Sequence, residues 1–134
     1  MENINKLDSG FQINNLILAE SYFFRINNVF FGNGVDNKVN IKTDVIANEK
    51  TITVEVEAIV IQYFNDIEQV NIRVKMVGIF ERTGESPLTD FEEFGKVNGA
   101  AIIFPFIREH IMNMSLKGGI GAVILPPLNF TKIV

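Results

Sequence analysis

At 134 residues, with a formal charge of −4, no cysteine and a single histidine, the chain suits one domain and excludes several chemistries. Without cysteine it has no disulfide framework and no thiol nucleophile, and a metal cluster would have to be built from carboxylates. The acidic balance argues against a nucleic-acid surface. The polar opening Met1-Glu2-Asn3-Ile4-Asn5-Lys6 lacks a signal-peptide core, and no apolar run reaches the roughly 20 residues of a membrane span, so the expectation is a cytoplasmic protein that does not insert into membranes.

Residues 11–26 read as a first strand whose alternation slips between Ile13 and Leu16, which a β-bulge explains. Phe30-Phe31 follow, just before the turn residues Gly32-Asn33-Gly34. Segment 39–46 sets Val39, Ile41, Thr43 and Val45 against Asn40, Lys42 and Asp44. Segment 51–62 alternates more strongly, with Ile52, Val54, Val56, Ala58 and Val60 against Thr51, Thr53, Glu55 and Glu57. Segment 70–76 repeats the pattern, with Val70, Ile72, Val74 and Met76 against Asn71, Arg73 and Lys75. This period is that of half-buried strands. A turn at Asn65-Asp66 makes the last two a hairpin, in which Glu57 must oppose Arg73 or Lys75 and not Val74. That parity requires an odd loop or a bulge. One sheet face is then polar and the other apolar, and the apolar face needs a cover.

The cover lies downstream. Ser86-Pro87-Leu88-Thr89-Asp90 carries helix-start chemistry and aligns Leu88, Phe91 and Phe94. Gly95 and Gly99 weaken this helix and predict that it is short or broken. A second helix over about 100–117 puts Ile103, Ile107, Ile111 and Met114 on one stripe, opposite Glu109, Asn113 and Lys117. Pro105 sits in its first turn or kinks it, and Gly118-Gly119 closes it. Ala122 to Phe130 is apolar and extended, because its prolines forbid helix and disfavour a central strand.

Candidate chemistry is sparse. Twelve phenylalanines either plug a small core or line an exposed apolar surface, which would mark a binding site. His110 reads as structural or surface. Glu55 and Glu57 form an acid–base pair only in a desolvated cleft, and their polar face favours plain solvation balanced by Arg73 and Lys75. Gly118-Gly119-Ile120-Gly121 follows a helix instead of a strand, so it is a helix stop and not a phosphate loop. Ser86 and Ser115 have no histidine partner for a triad. No enzyme is expected.

Gly78-Ile79-Phe80, then Ile102-Ile103-Phe104-Pro105-Phe106-Ile107-Arg108-Glu109-His110-Ile111, Gly119 and Leu125-Pro126-Pro127-Leu128-Asn129-Phe130, together resemble the SecB protein-export chaperones, as does the opening Phe11-Gln12-Ile13. The resemblance runs from Phe11 to Phe130. It implies an α+β fold in one domain over 1–134: a four-stranded antiparallel sheet at about 11–80, with C-terminal helices packed on one face and a helical and closing segment at about 88–134. It also implies a homotetramer, a dimer of dimers, that holds unfolded or precursor polypeptides in apolar grooves without ATP or any other cofactor. By position, the groove residues are Phe30, Phe31, Phe80, Ile124, Leu125, Pro126, Leu128 and Phe130. Phe104, Pro105 and Phe106 match a family motif and are groove or core. Glu20 fits the family's docking surface for the translocation motor SecA. Phe24 and Arg73 stand where acidic residues are expected, and Asn71 replaces an apolar one. Family members continue past the Asn-Phe motif with a helix and a tail that touches the motor, and the end at Val134 predicts loss of that contact. SecB-like proteins also serve as dedicated chaperones of antitoxins, which is the alternative role. A third reading is an α+β module whose phenylalanines enclose a small ligand.

Overall fold

The computed structural model describes residues 10–83 and 90–132. Strands β1 (Phe11–Arg25), β2 (Val35–Ala47), β3 (Thr51–Phe64) and β4 (Ile67–Arg82) form one antiparallel sheet in the order β1-β4-β3-β2. The two inner strands carry the clearest alternation in the chain. Ile52, Val54, Val56, Ala58 and Val60 of β3 and Val70, Ile72 and Val74 of β4 are each at most 1% exposed. Burying a valine or isoleucine contributes roughly 1.5–3 kcal/mol, so this face is the main source of stability.

The hairpin parity is resolved by a bulge. Asn65 and Asp66 take positive φ values of 51° and 61° in a two-residue turn between Phe64 and Ile67. Both residue types tolerate that conformation. A register shift between Gln62 and Tyr63 then brings Glu57 opposite Lys75. The slip expected in β1 lies between Ile13 and Asn15, and a second, unanticipated one lies between Leu18 and Glu20. The two shifts explain the uneven pattern. Ile13 pairs with Phe80, Leu16 and Leu18 pair with Gly78 and Met76, and Ser21 and Phe23 pair with Val74 and Ile72. The inward-facing parity switches from odd to even and back.

Of the two outcomes expected for the first helix, short or broken, the structure shows a short one with no break after it. Helix α1 (Phe91–Phe94), a π-helical turn (Gly95–Gly99) and helix α2 (Ala100–Lys117) follow one another directly. Asp90 caps the start by accepting the Glu93 N–H at 3.0 Å. Residues 86–89 of the expected start lie outside the described residues. Gly95 and Gly99 keep right-handed helical dihedrals, and their missing side chains serve close packing instead. A Cβ would lie 2.7 Å from Val45 Cγ1 at Gly95 and 2.9 Å from Val54 Cγ2 at Gly99.

Helix α2 lays Ile103, Ile107 and Ile111, all fully buried, on the apolar sheet face. Pro105 lies past its first turn, inside the helix. At its end Gly119 adopts φ 70°, Ile120 N–H bonds Ser115 O at 3.2 Å, and Gly119 N–H bonds Leu116 O at 3.1 Å. This is the Schellman closure that the glycine pair predicts. Arg25 Nη1 adds a bond to Gly118 O at 2.7 Å. His110 has the structural role the sequence favours. Its Nε2 lies 2.8 Å from Ser21 Oγ, and that hydroxyl donates to Met114 Sδ at 3.3 Å, tying β1 to α2.

Candidate functional site

From Ile120 to Lys132 the chain is neither helix nor strand, so side chains must hold it. Ser115, fully buried, accepts the Val123 N–H at 2.9 Å while donating to Met112 O at 2.8 Å. Arg108 Nε donates to Leu125 O at 2.7 Å. Phe130 packs edge-on against Phe104 with ring centroids 5.5 Å apart. Three anchors therefore space the closing segment along α2 and leave a gap between it and edge strand β2.

That gap is apolar. A hollow of about 340 Å³ is lined by Val39 and Ile41 of β2, Phe104 of α2, and Leu125, Pro126 and Leu128. A second, of about 460 Å³, shares Val39, Leu125 and Pro126 and extends to Ile120, Ile124, Asn37 and Gln62. Ile124 is 67% exposed and Val39 46%. Together the two hollows form an open groove beside the β2 edge.

Of the residues expected from the sequence, Ile124, Leu125, Pro126 and Leu128 meet here. Phe30 and Phe31 line neither hollow and stand on the connection from β1 to β2. Phe31 is 60% exposed, and Phe30 stacks on Phe64 with centroids 3.9 Å apart. Phe80, 1% exposed, is core: it packs edge-on against Phe94 and presents no surface. Phe130, 4% exposed, is also core: it lines neither hollow and packs against Phe104, which lines the smaller one. Sequence reasoning missed Val39 and Ile41 as lining, because an edge strand shows the same alternation as any other. It missed Phe64 too, which only the fold brings beside Phe30.

Glu20 lies on the sheet face away from α2, in a mixed-charge cluster. It pairs with Arg73 at 3.7 Å, and beside it Lys75 Nζ contacts Glu55 at 3.0 Å and Glu57 at 3.9 Å. Glu55 and Glu57 thus sit on an open face of mixed charge, both within reach of Lys75, and Tyr22 and Phe24 of β1 are nearly half exposed. The hydrogen bond and charge of Glu55, with smaller help from Glu57 and Glu20, raise the Lys75 pKa above its ordinary 10.5. The ion-pair contribution is therefore fully present below that value and is lost only as pH rises through the higher folded one. An NMR titration of Lys75 should place its midpoint above 10.5, and Glu55→Gln should bring it down; an unchanged midpoint in that variant would disprove the assignment.

The sequence model of the family described as preprotein translocase subunit SecB matches residues 32–134. The protein-export protein SecB of Orientia tsutsugamushi (strain Boryong) is 28% identical over 100 residues, covering 75% of this chain and 62% of that protein. An uncharacterised protein of Methanocaldococcus jannaschii is 35% identical over 60 residues, covering 45% of this chain and 38% of its own. The chain thus spans less than two-thirds of the length of these two relatives. Among solved structures, a SecB-like chaperone of Mycobacterium tuberculosis, in complex with a ChAD peptide from an antitoxin, matches with a TM-score of 0.78 at 14% identity, over 93% of this chain and 95% of that one. The shared feature is the fold: a four-stranded antiparallel sheet with its C-terminal helix on one face.

Proposed function

Because the chain belongs to the SecB family, whose sequence model matches residues 32–134, we propose that it is an ATP-independent chaperone that holds unfolded polypeptides, export precursors foremost, and catalyses no reaction. The observation that carries this reading is the apolar groove between β2 and the closing segment, lined by Val39, Ile41, Phe104, Leu125, Pro126 and Leu128. Unfolded chains share no sequence, only apolar side chains and unpaired backbone. The groove offers a complement to both. Its floor recovers roughly 25 cal/mol per Å² of apolar surface buried, and the outer edge of β2 offers strand pairing. The groove is open along exposed Val39 and Ile124, which suits an extended chain better than an enclosed small molecule.

The assembly in this reading is a cytoplasmic homotetramer built as a dimer of dimers. Ile102, Phe106 and Leu116 share the outward stripe of α2 and are 43–54% exposed, so that stripe is surface such an assembly would cover. Several grooves on one particle then raise affinity for a long client through effective concentration.

A second reading, a chaperone dedicated to an antitoxin, is favoured by the open sheet face. There Glu20 is paired with Arg73 instead of standing in an acidic surface for a motor. The Mycobacterium tuberculosis protein of the same fold was solved with an antitoxin peptide.

Light scattering with a slowly folding, chemically denatured client tests the holdase. The expected result is an oligomer that captures the unfolded client in a stable complex and ignores the folded one. A monomer that ignores both would overturn the proposal. Capture of one antitoxin alone, with general unfolded clients left to aggregate, would select the second reading.

A further inference from the structure

Gln69 is among the few buried polar side chains of the described residues, at 2% exposure. Alternation along β4 would point it to the open face with Asn71 and Arg73. The bulge opposite Gln62 and Tyr63 turns it inward, so Gln69 and Val70 are buried in succession. There its amide grips the β1–β2 connection. Oε1 accepts the Phe30 N–H at 3.0 Å, and Nε2 donates to Phe30 O at 3.0 Å. Its backbone carbonyl also holds the Ile26 N–H at 3.0 Å. The second Nε2 hydrogen goes to Gln62 Oε1 at 2.8 Å, and Gln62 Nε2 donates to Asn37 Oδ1 at 3.1 Å. Gln62 and Asn37 both line the larger hollow. A relay of three side-chain amides thus joins the groove to the backbone of Phe30.

An amide drawn into a core is costly unless every bond is made, and here all of them are. A leucine or methionine would fill the same volume more cheaply. The bonds instead fix a loop whose aromatic residues remain outside: Phe30, stacked on Phe64, and Phe31, 60% exposed. We propose that Gln69 is a positioning residue for client capture, holding Phe30 and Phe31 as a preorganised aromatic platform that continues the apolar groove beyond Gln62. The inference rests on the holdase reading. Its benefit is entropic: a loop ordered before binding does not have to be ordered by the client.

The test is a double-mutant cycle read by fluorescence anisotropy, using a labelled synthetic peptide rich in phenylalanine and leucine. Gln69→Met, which keeps the volume and removes the bonds, should weaken binding roughly three- to tenfold. It should add nothing further in a Phe30→Ala/Phe31→Ala background, a non-additivity that general destabilisation would not produce. Amide hydrogen exchange should show Phe30 N–H losing its protection in Gln69→Met while Val56 N–H keeps its own. Should that variant fold poorly, Gln69→Asn, too short to span the bonds, enters the same cycle. Wild-type binding with unchanged affinity in the variant, or with additive losses, would overturn the role of Gln69. A wild-type protein that binds no peptide would overturn the holdase reading itself, and this inference with it.

Discussion

Charging the groove through Val39→Glu together with Leu128→Glu should weaken capture of an unfolded client roughly ten- to hundredfold, because a client can cover only the exposed half of each side chain, so that the two changes together forfeit roughly 1.5–3 kcal/mol of apolar burial, and every 1.4 kcal/mol is about tenfold. Both side chains line the hollow beside the β2 edge. Val39 is already 46% exposed and Leu128, which packs against the core, is only partly buried, so the fold should tolerate the exchange with a melting temperature a few degrees lower. Anisotropy of a labelled unfolded client measures the affinity, and light scattering checks that the oligomer persists. If burial of the client is the cause, Val39→Lys should reproduce the loss due to Val39→Glu, since either sign of charge must be desolvated. Wild-type affinity in the doubly charged protein would move the client site elsewhere.

The second large effect concerns stability, and its sign is informative. On helix propensity alone, Gly95→Ala should stabilise a helical position by about 1 kcal/mol. The structure reverses that expectation. A Cβ at Gly95 would meet Val45 Cγ1 at 2.7 Å and Ile52 Cγ2 at 3.0 Å, and Ile52 is fully buried. Overpacking of this kind costs roughly 1–3 kcal/mol, which outweighs propensity and should lower the melting temperature by several degrees at fixed protein concentration. A higher melting temperature in Gly95→Ala would mean that the helix stands further from β2 and β3 than described.

Gly95 also shows where reading the chain by local rules stops. Two glycines in a helical stretch predict that the helix is short or broken, because propensity is a local quantity. The π-helical turn over Gly95–Gly99 persists because these glycines bring the helix against Val45 and Val54, contacts between elements remote in sequence. Gln69 shows the same limit with a visible clue. The parity conflict between Glu57 and Val74 already demanded an odd loop or a bulge, and the two-residue turn at Asn65-Asp66 leaves the bulge. Which residue the bulge would turn inward, and that Phe30 would be waiting for it, depends on a connection that crosses from one sheet edge to the other.

The sequence by itself determined the strands, the inward faces of β3 and β4, the span of α2 and its glycine closure. Each follows from periodicity or from a residue's own backbone preference, and these act over a few neighbours. Through its closing motif it also marked Leu125, Pro126 and Leu128. Tertiary structure alone decided which apolar residues face solvent. Phe80 and Phe31 are the same residue type, yet one is 1% and the other 60% exposed. Hydrophobicity requires that apolar surface be covered by something, but what covers each side chain is set by contacts between distant segments. Those contacts sealed Phe80 beneath Phe94, placed Val39 beside Pro126, and left the groove between them open.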